Sequence, residues 1–77
     1  MKELLEFLIR SLVDDPDAVI IDEKVAEGQS VLFVKVAPAE VGKIIGRQGR
    51  TIKALRAVIT AAGRKRGSQT SIEIAES

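Results

Sequence analysis

The sequence predicts an α+β fold in which three helices cover one face of a three-stranded mixed sheet. The first residues repeat their leucines at helical spacing, and two short apolar runs around a glycine turn follow them. Residues 39–62 carry two more helical patterns, and the last residues alternate apolar and polar side chains. The predicted order is therefore α-β-β-α-α-β, and a chain of 77 residues leaves room for one domain, residues 1–77.

The first predicted helix spans Lys2–Val13. Asp14-Asp15-Pro16 ends it, because the residue before a proline is forced out of the helical region. The apolar positions three and four residues apart are Leu4, Leu5, Leu8 and Leu12, with Phe7 and Ile9 on a flanking edge. We expect an amphipathic helix that rests on the core, with Phe7 packed within the helix layer.

Two strands, Ala18–Glu27 and Val31–Ala37, are predicted to form an antiparallel hairpin. Gly28 lies in the turn between them and can take a positive φ. A third strand, Gln69–Ala75, follows a two-helix crossover that is long enough to place it parallel to the second strand. We therefore expect Val31–Ala37 to be the central strand of the sheet.

Two helices, Ala39–Ile45 and Arg50–Ala62, are predicted in the crossover. Pro38 can open the first of them, because the missing N–H of proline is not needed there, and Gly46 can end it in the left-handed conformation. Gly63 is the expected C-cap of the second helix. The residues that this helix is expected to bury are Ile52, Leu55, Ile59 and Ala62, with Val58 beside them.

The composition excludes several kinds of site. The chain has no cysteine and no histidine, which removes disulfides, the usual zinc sites and the commonest general base at neutral pH. No stretch approaches the ~20 apolar residues of a membrane span, and Glu3 and Glu6 interrupt the apolar pattern near the N-terminus. We therefore expect a cytoplasmic protein with no membrane association, no metal and no cofactor.

Charge is divided unevenly along the chain, although the formal net charge is only +1. Residues 1–40 carry four basic and nine acidic side chains, whereas residues 41–77 carry eight basic and two acidic ones. No acidic side chain lies between Val41 and Ile72. Such a block is typical of a surface that binds a polyanion, and a merely solvated basic face is the alternative.

The most informative segment is Gly46-Arg47-Gln48-Gly49, in which two glycines frame a two-residue tip between two predicted helices. Without Cβ atoms at the glycines, the backbone can turn sharply and a sugar-phosphate chain can approach it closely. The following helix presents unpaired N–H groups and the positive end of its dipole, which favour a phosphate. The four-residue pattern alone is weak, since a helix-turn-helix corner can use two glycines as simple caps.

Residues 41–52, Val-Gly-Lys-Ile-Ile-Gly-Arg-Gln-Gly-Arg-Thr-Ile, resemble the I-G-x-x-G-x-x-I signature of KH domains. The element order is similar to the bacterial type II arrangement, and the resemblance covers essentially the whole chain. The sequence looks closest to the stand-alone bacterial KH proteins of the KhpA family. The resemblance implies binding of RNA, a role as RNA chaperone or post-transcriptional regulator, and pairing with a larger KH-containing protein. Apart from the resemblance, a homodimer is the other expected pairing, since a lone KH loop binds single-stranded RNA weakly and a dimer would add avidity. The resemblance also implies a link to cell-wall biogenesis and cell shape.

The resemblance also predicts which residues contact RNA. The clamp is the loop of Gly46, Arg47, Gln48 and Gly49, and KH loops of this kind hold about four nucleotides by their backbone. Lys43 and Arg50 lie near the loop in sequence and are the expected supporting cations beside Arg47. Lys53 could extend the phosphate path, although a solvated lysine is the commoner case, and Ile45 is the expected apolar contact. Ile52 and Leu55 are further candidates for a base groove, although core packing is the favoured explanation for all three apolar positions.

Other basic and aromatic residues give weaker signals. Residues 64–66 are all basic, but they follow the second crossover helix about 20 Å from the loop and are suited to its C-terminal carbonyls. They could still hold a longer RNA electrostatically. Phe33 alternates onto the sheet face away from the helices, where it could be a self-association surface or be covered by neighbouring lysine stems.

Two other functions stay open. One is a helix-turn-helix DNA-binding domain with Arg50–Ala62 as recognition helix, although Ala39–Ile45 is short and the corner is rich in glycine. The other is a protein-interaction module that serves as a KH subunit of a larger complex. An enzyme with a small-molecule substrate is not expected, because no nucleophile–base pair or nucleotide-binding motif accompanies the carboxylates.

Overall fold

The computed structural model describes residues 1–75, which form three helices and three strands in the predicted order. The elements are α1 (Lys2–Arg10), β1 (Ile20–Ala26), β2 (Gln29–Lys35), α2 (Val41–Ile45), α3 (Arg50–Lys65) and β3 (Gln69–Ala75). Short 3-10 turns at Pro16–Ala18, Pro38–Glu40 and Arg47–Gly49 join them. The α+β class and the α-β-β-α-α-β order are confirmed.

The sheet has β2 in its centre, as predicted. β1 pairs with β2 antiparallel, and β3 pairs with β2 parallel, so that Leu32 of β2 lies between Glu23 and Ile72. The β1–β2 turn consists of Glu27 and Gly28, both with positive φ, at 52° and 77°. A two-residue turn with two positive φ angles matches the twist of a hairpin, which explains why glycine stands there.

The core lies between the helices and one face of the sheet. The inward side chains of the central strand and of the residue that follows it are Leu32, Val34 and Val36, as alternation predicts. The helices bury Leu5, Ile9, Ile44, Ile52, Leu55 and Ile59 against them. Burial of these branched side chains is the main source of stability for a domain of this size.

The first helix ends earlier than the sequence suggested, at Arg10 rather than Val13. Its last turn tightens, because the Leu12 N–H donates to the carbonyl of Ile9, three residues back. The Ser11 hydroxyl also donates to the Phe7 carbonyl, at 2.8 Å. The Phe7 carbonyl thus accepts from both the N–H and the hydroxyl of Ser11 where the helix ends, before the Asp14-Asp15-Pro16 stop is reached.

The third helix runs three residues further than predicted, because Gly63 is not its C-cap. Gly63 is a buried helical residue, and α3 continues to Lys65 before Gly67 takes a φ of 74°. A Cβ on Gly63 would lie 2.5 Å from Oγ1 of Thr70 on β3. Glycine is therefore needed at this position for the close approach of α3 to β3.

Some apolar residues that were expected in the helix layer are exposed. Phe7 is 69% exposed and Val58 is 47% exposed, so the predicted burial of both side chains is wrong. Phe33 is half-buried on the outer face of the sheet, where the ammonium of Lys24 lies 5.5 Å from its ring centroid. Within residues 1–75 no helix is both long and apolar enough to cross a membrane.

Candidate nucleic-acid interface

The loop between α2 and α3 is a tight turn of defined backbone geometry. The Gly46 N–H donates to the carbonyl of Gly42, at 2.9 Å, and the Gly49 N–H donates to the carbonyl of Gly46, at 3.1 Å. These bonds join the end of α2 to the start of α3 without an intervening flexible segment. The two residues at the tip, Arg47 and Gln48, are both exposed. The loop therefore presents a short, fixed stretch of backbone to solvent.

The two framing glycines have different conformations. Gly46 has φ 76° and ψ 174°, a region that only glycine occupies readily, and Gly49 has φ 73° and ψ 16°, in the left-handed region. Gly46 was expected in the left-handed conformation, so that detail of the prediction is wrong. Its extended ψ turns the chain sharply away from α2, whereas Gly49 and Gln48, with φ 57°, turn it into α3.

Gly46 also packs directly against the first turn of α3. A Cβ at this position would lie 2.2 Å from Oγ1 of Thr51 and 2.7 Å from its Cβ. At Gly49 the nearest atom would be Cγ2 of Ile52, at 3.9 Å, which is an ordinary contact. Thr51 is therefore a part of the loop that the glycine spacing did not reveal, because the contact depends on the angle between two helices.

The start of α3 is suited to bind an anion. The helix has 16 residues, and its N-cap is Gly49, which has no side chain. The Arg50 N–H donates to the Arg47 carbonyl, and no side chain caps the N–H groups that follow it in the first turn. Those N–H groups carry the positive end of the helix dipole and lie beside the loop. The guanidinium of Arg50 lies 3.4 Å from Oε1 of Gln48 at the tip of the loop. Positive charge and backbone donors thus meet at one point.

Lys43 has partners within the protein. Its ammonium forms an ion pair with the Asp14 carboxylate and lies 3.6 Å from Oε1 of Glu40. The hydrogen bond to Asp14 is the main cause that raises the pKa of Lys43 above its ordinary value. The predicted phosphate ligand Lys43 is therefore engaged with carboxylates in the absence of RNA.

Glu40 is a buried carboxylate that sequence reasoning missed. It is only 6% exposed, and its Oε1 accepts the backbone N–H groups of Asp14 and Asp15, at 2.5 and 3.3 Å. These bonds hold the segment after α1 against the start of α2. The partners are 25 and 26 residues apart in sequence, so no local pattern could have indicated them.

The remaining residues that were predicted to contact RNA differ in how exposed they are. Ile45 is half-buried against the core, whereas Ile52 and Leu55 are 6% and 7% exposed. Of the three apolar candidates, Ile45 is the one that keeps appreciable surface at the loop. Lys53 is exposed on α3, one turn beyond the loop. The basic residues 64–66 lie at the other end of α3, about 20 Å away at the rise of an α-helix.

An apolar groove lies between α1 and α3, and Thr51 at the start of α3 lies at its end nearest the loop. Its volume is about 290 Å³, and its walls are almost entirely apolar. The lining residues are Leu8, Ser11, Leu12, Thr51, Ala54, Leu55 and Val58. Leu12 and Val58 are 37% and 47% exposed, which is high for large apolar side chains of a small domain.

A glycine-framed loop between two helices, set on a small α+β sandwich, is the combination that defines the KH class of nucleic-acid-binding domains. Comparison with known proteins agrees. The model of the KhpA/KhpB KH-domain family matches residues 2–74, and this chain belongs to that family.

Relatives in several bacteria match the chain over nearly its whole length. RNA-binding protein KhpA of Clostridium acetobutylicum is 49% identical over 96% of this chain and 99% of its own length. The Clostridium perfringens protein of the same name is 45% identical with the same coverage. That of Aquifex aeolicus is 43% identical over 99% of this chain and 96% of its own length.

Proposed function

We propose that this protein binds single-stranded RNA, with the backbone clamped by the loop of Gly46, Arg47, Gln48 and Gly49. The observation that carries the proposal is the geometry of this loop. Two exposed side chains stand on a fixed turn, directly before the uncapped N-terminus of a helix of 16 residues. The relatives are named RNA-binding proteins, which supports the choice of RNA as ligand.

The cations Arg47 and Arg50 contact phosphates beside the loop, and Lys53 extends the path along α3. Lys43, which is paired with Asp14 and Glu40, contributes less. Ile45 offers apolar surface to a base. The chain holds only two phenylalanines and no tyrosine or tryptophan, so stacking contributes little and the backbone contacts carry the affinity.

The test is fluorescence anisotropy of a labelled oligouridylate with Arg47→Asp/Gln48→Asp. Two acidic side chains at the tip should repel phosphate and lower the affinity at least about tenfold, which is about 1.4 kcal/mol. Arg66→Asp/Gln69→Asp is the matched control, because it makes the same charge change at exposed positions beyond the far end of α3. Equal losses in both variants would mean that only net charge matters, and an unchanged loop variant would refute the clamp.

A second candidate function, pairing with another KH subunit, is favoured by the apolar groove between α1 and α3. A second copy of this chain, or a larger KH-containing protein, would cover Leu12 and Val58. Val58→Asp should abolish such pairing in sedimentation equilibrium, while Val25→Asp should not, since Val25 is an exposed valine on β1. A wild-type chain that stays monomeric at all concentrations and binds no KH partner would remove this function.

The wider biological role rests on the likeness to the KhpA family. We infer a single cytoplasmic KH domain that acts as RNA chaperone or post-transcriptional regulator and influences cell-wall biogenesis and cell shape. Catalysis is not part of the proposal. RNA binding, after which the relatives are named, is preferred to DNA binding by a helix-turn-helix. A strand-annealing assay with complementary labelled RNAs tests the chaperone activity, with Arg47→Asp/Gln48→Asp as the inactive reference. Annealing at the uncatalysed rate with wild-type protein would contradict it.

A further inference from the structure

Lys43 is held between two carboxylates of different mobility. Glu40 is fixed, because it is buried and its Oε1 also accepts two backbone N–H groups. The side chain of Asp14, in contrast, is 85% exposed, although its Oδ2 forms the closer contact with the Lys43 ammonium. Of the two partners, Asp14 is therefore the one that can exchange for a ligand from solution.

This ion pair lies on the helix that leads into the loop, with the Lys43 ammonium beside Glu40 at the start of α2. Lys43 is three residues before Gly46, and α2 runs directly into the loop through the hydrogen bond from the Gly46 N–H to the Gly42 carbonyl. A carboxylate and a phosphate offer an ammonium the same kind of acceptor, an oxygen with negative charge. A phosphate of an RNA that passes from the loop along α2, within reach of the Lys43 side chain, would therefore compete with Asp14 for its ammonium.

We propose that Asp14 is an intramolecular competitor of RNA phosphate for Lys43 and thereby lowers the affinity of the loop for RNA. This rests on the proposed function, since it assumes that RNA binds at the loop. In the wild type the cation is neutralised, so loss of Lys43 costs little affinity. Without Asp14, Lys43 supplies one additional phosphate contact.

The test compares Asp14→Asn with Asp15→Asn, which removes the same charge one residue further on. The Asp15 side chain is exposed, and the Asp15 N–H contacts Glu40 as the Asp14 N–H does. Asp15→Asn therefore controls for the general effect of removing one negative charge from this segment. Anisotropy with a labelled oligouridylate of about ten nucleotides should show binding about two- to fivefold tighter for Asp14→Asn, the range of an exposed ion pair. The slope of log K against log salt should also steepen by about 0.7, the value of one contact to a single strand.

A double-mutant cycle with Lys43→Gln separates competition from a structural effect. In the Asp14→Asn background, Lys43→Gln should remove the gain in RNA affinity. In the wild-type background, the same substitution should change the affinity by a smaller factor. Equal affinities of the two asparagine variants, or a gain that survives Lys43→Gln, would overturn the proposal. Thermal unfolding confirms that the variants are folded, as expected for exposed positions.

The loop variant distinguishes the two possible failures. If Arg47→Asp/Gln48→Asp binds RNA as well as wild type does, the proposed function has failed, and the role of Asp14 fails with it. If that variant loses RNA but Asp14→Asn gains nothing over Asp15→Asn, the clamp stands and only the competition is wrong.

Discussion

Gly46 and Gly49 hold the loop in shape for two different physical reasons. Gly46 combines a φ and ψ that other residues avoid with a contact to Thr51 that leaves no space for a Cβ. Gly49 has only the positive φ, and its surroundings are open. Asparagine tolerates the left-handed region, so Gly49 can be replaced by it at little cost, whereas Gly46 can be replaced by no other residue without rearrangement.

We therefore predict a graded series of stabilities. Gly49→Asn should have a free energy of unfolding close to that of the wild type. Gly49→Ala should lower it by about 1–2 kcal/mol, because alanine is strained at a positive φ. Gly46→Ala should lose more than Gly49→Ala, because about 1–3 kcal/mol of overpacking adds to the backbone cost. Urea unfolding measures the free energy of unfolding of the three variants. Equal losses of stability for the two alanine variants would show that overpacking against Thr51 adds no cost at Gly46.

Glu40 acts at the scale of elements, because it ties the segment after α1 to the start of α2. Its carboxylate accepts two N–H groups that have no partner in a helix or strand. The tie fixes where α1 lies relative to the loop, and it also places Asp14 beside Lys43.

Glu40→Ala should therefore lower the free energy of unfolding by about 1–3 kcal/mol, the cost of leaving such groups unpaired. Glu40→Gln should lose less, because its amide oxygen can still accept. Amide hydrogen exchange at Asp14 and Asp15 should accelerate in Glu40→Ala more than elsewhere. Unchanged exchange at these two residues would contradict the tie.

The element order, the sheet and the loop could all be predicted from sequence, because periodicity and turn glycines are local signals. The bounds of β3, Gln69–Ala75, are those predicted. What failed depended on tertiary contacts. Gly63 stands where a helix C-cap is expected, but its lack of a side chain lets α3 approach Thr70 closely. Phe7 and Val58 fit the apolar spacing of their helices, but the small core does not cover them fully. Likewise, the pairing of Lys43 with Asp14 joins residues 29 apart.

At the scale of the whole molecule, the proposed RNA-binding surface would account for the division of charge. The basic second half of the chain holds the loop and α3, and the acidic first half supplies the carboxylates that contact Lys43. The net charge of +1 gives little long-range attraction, so the proposed binding would depend on cations placed near the loop. A single loop that touches about four nucleotides binds weakly, and pairing through the α1–α3 groove would raise affinity by avidity.

The central claim is that RNA binds at the loop, and an NMR titration of backbone amides tests it most directly. Unlabelled oligouridylate is added to nitrogen-15-labelled protein, and each amide shift is followed. We predict that the largest changes occur at Gly46, Arg47, Gln48, Gly49 and Arg50, with smaller ones along the start of α3. Largest changes at residues 64–67, with the loop amides unmoved, would contradict the account and place the RNA at the far end of α3.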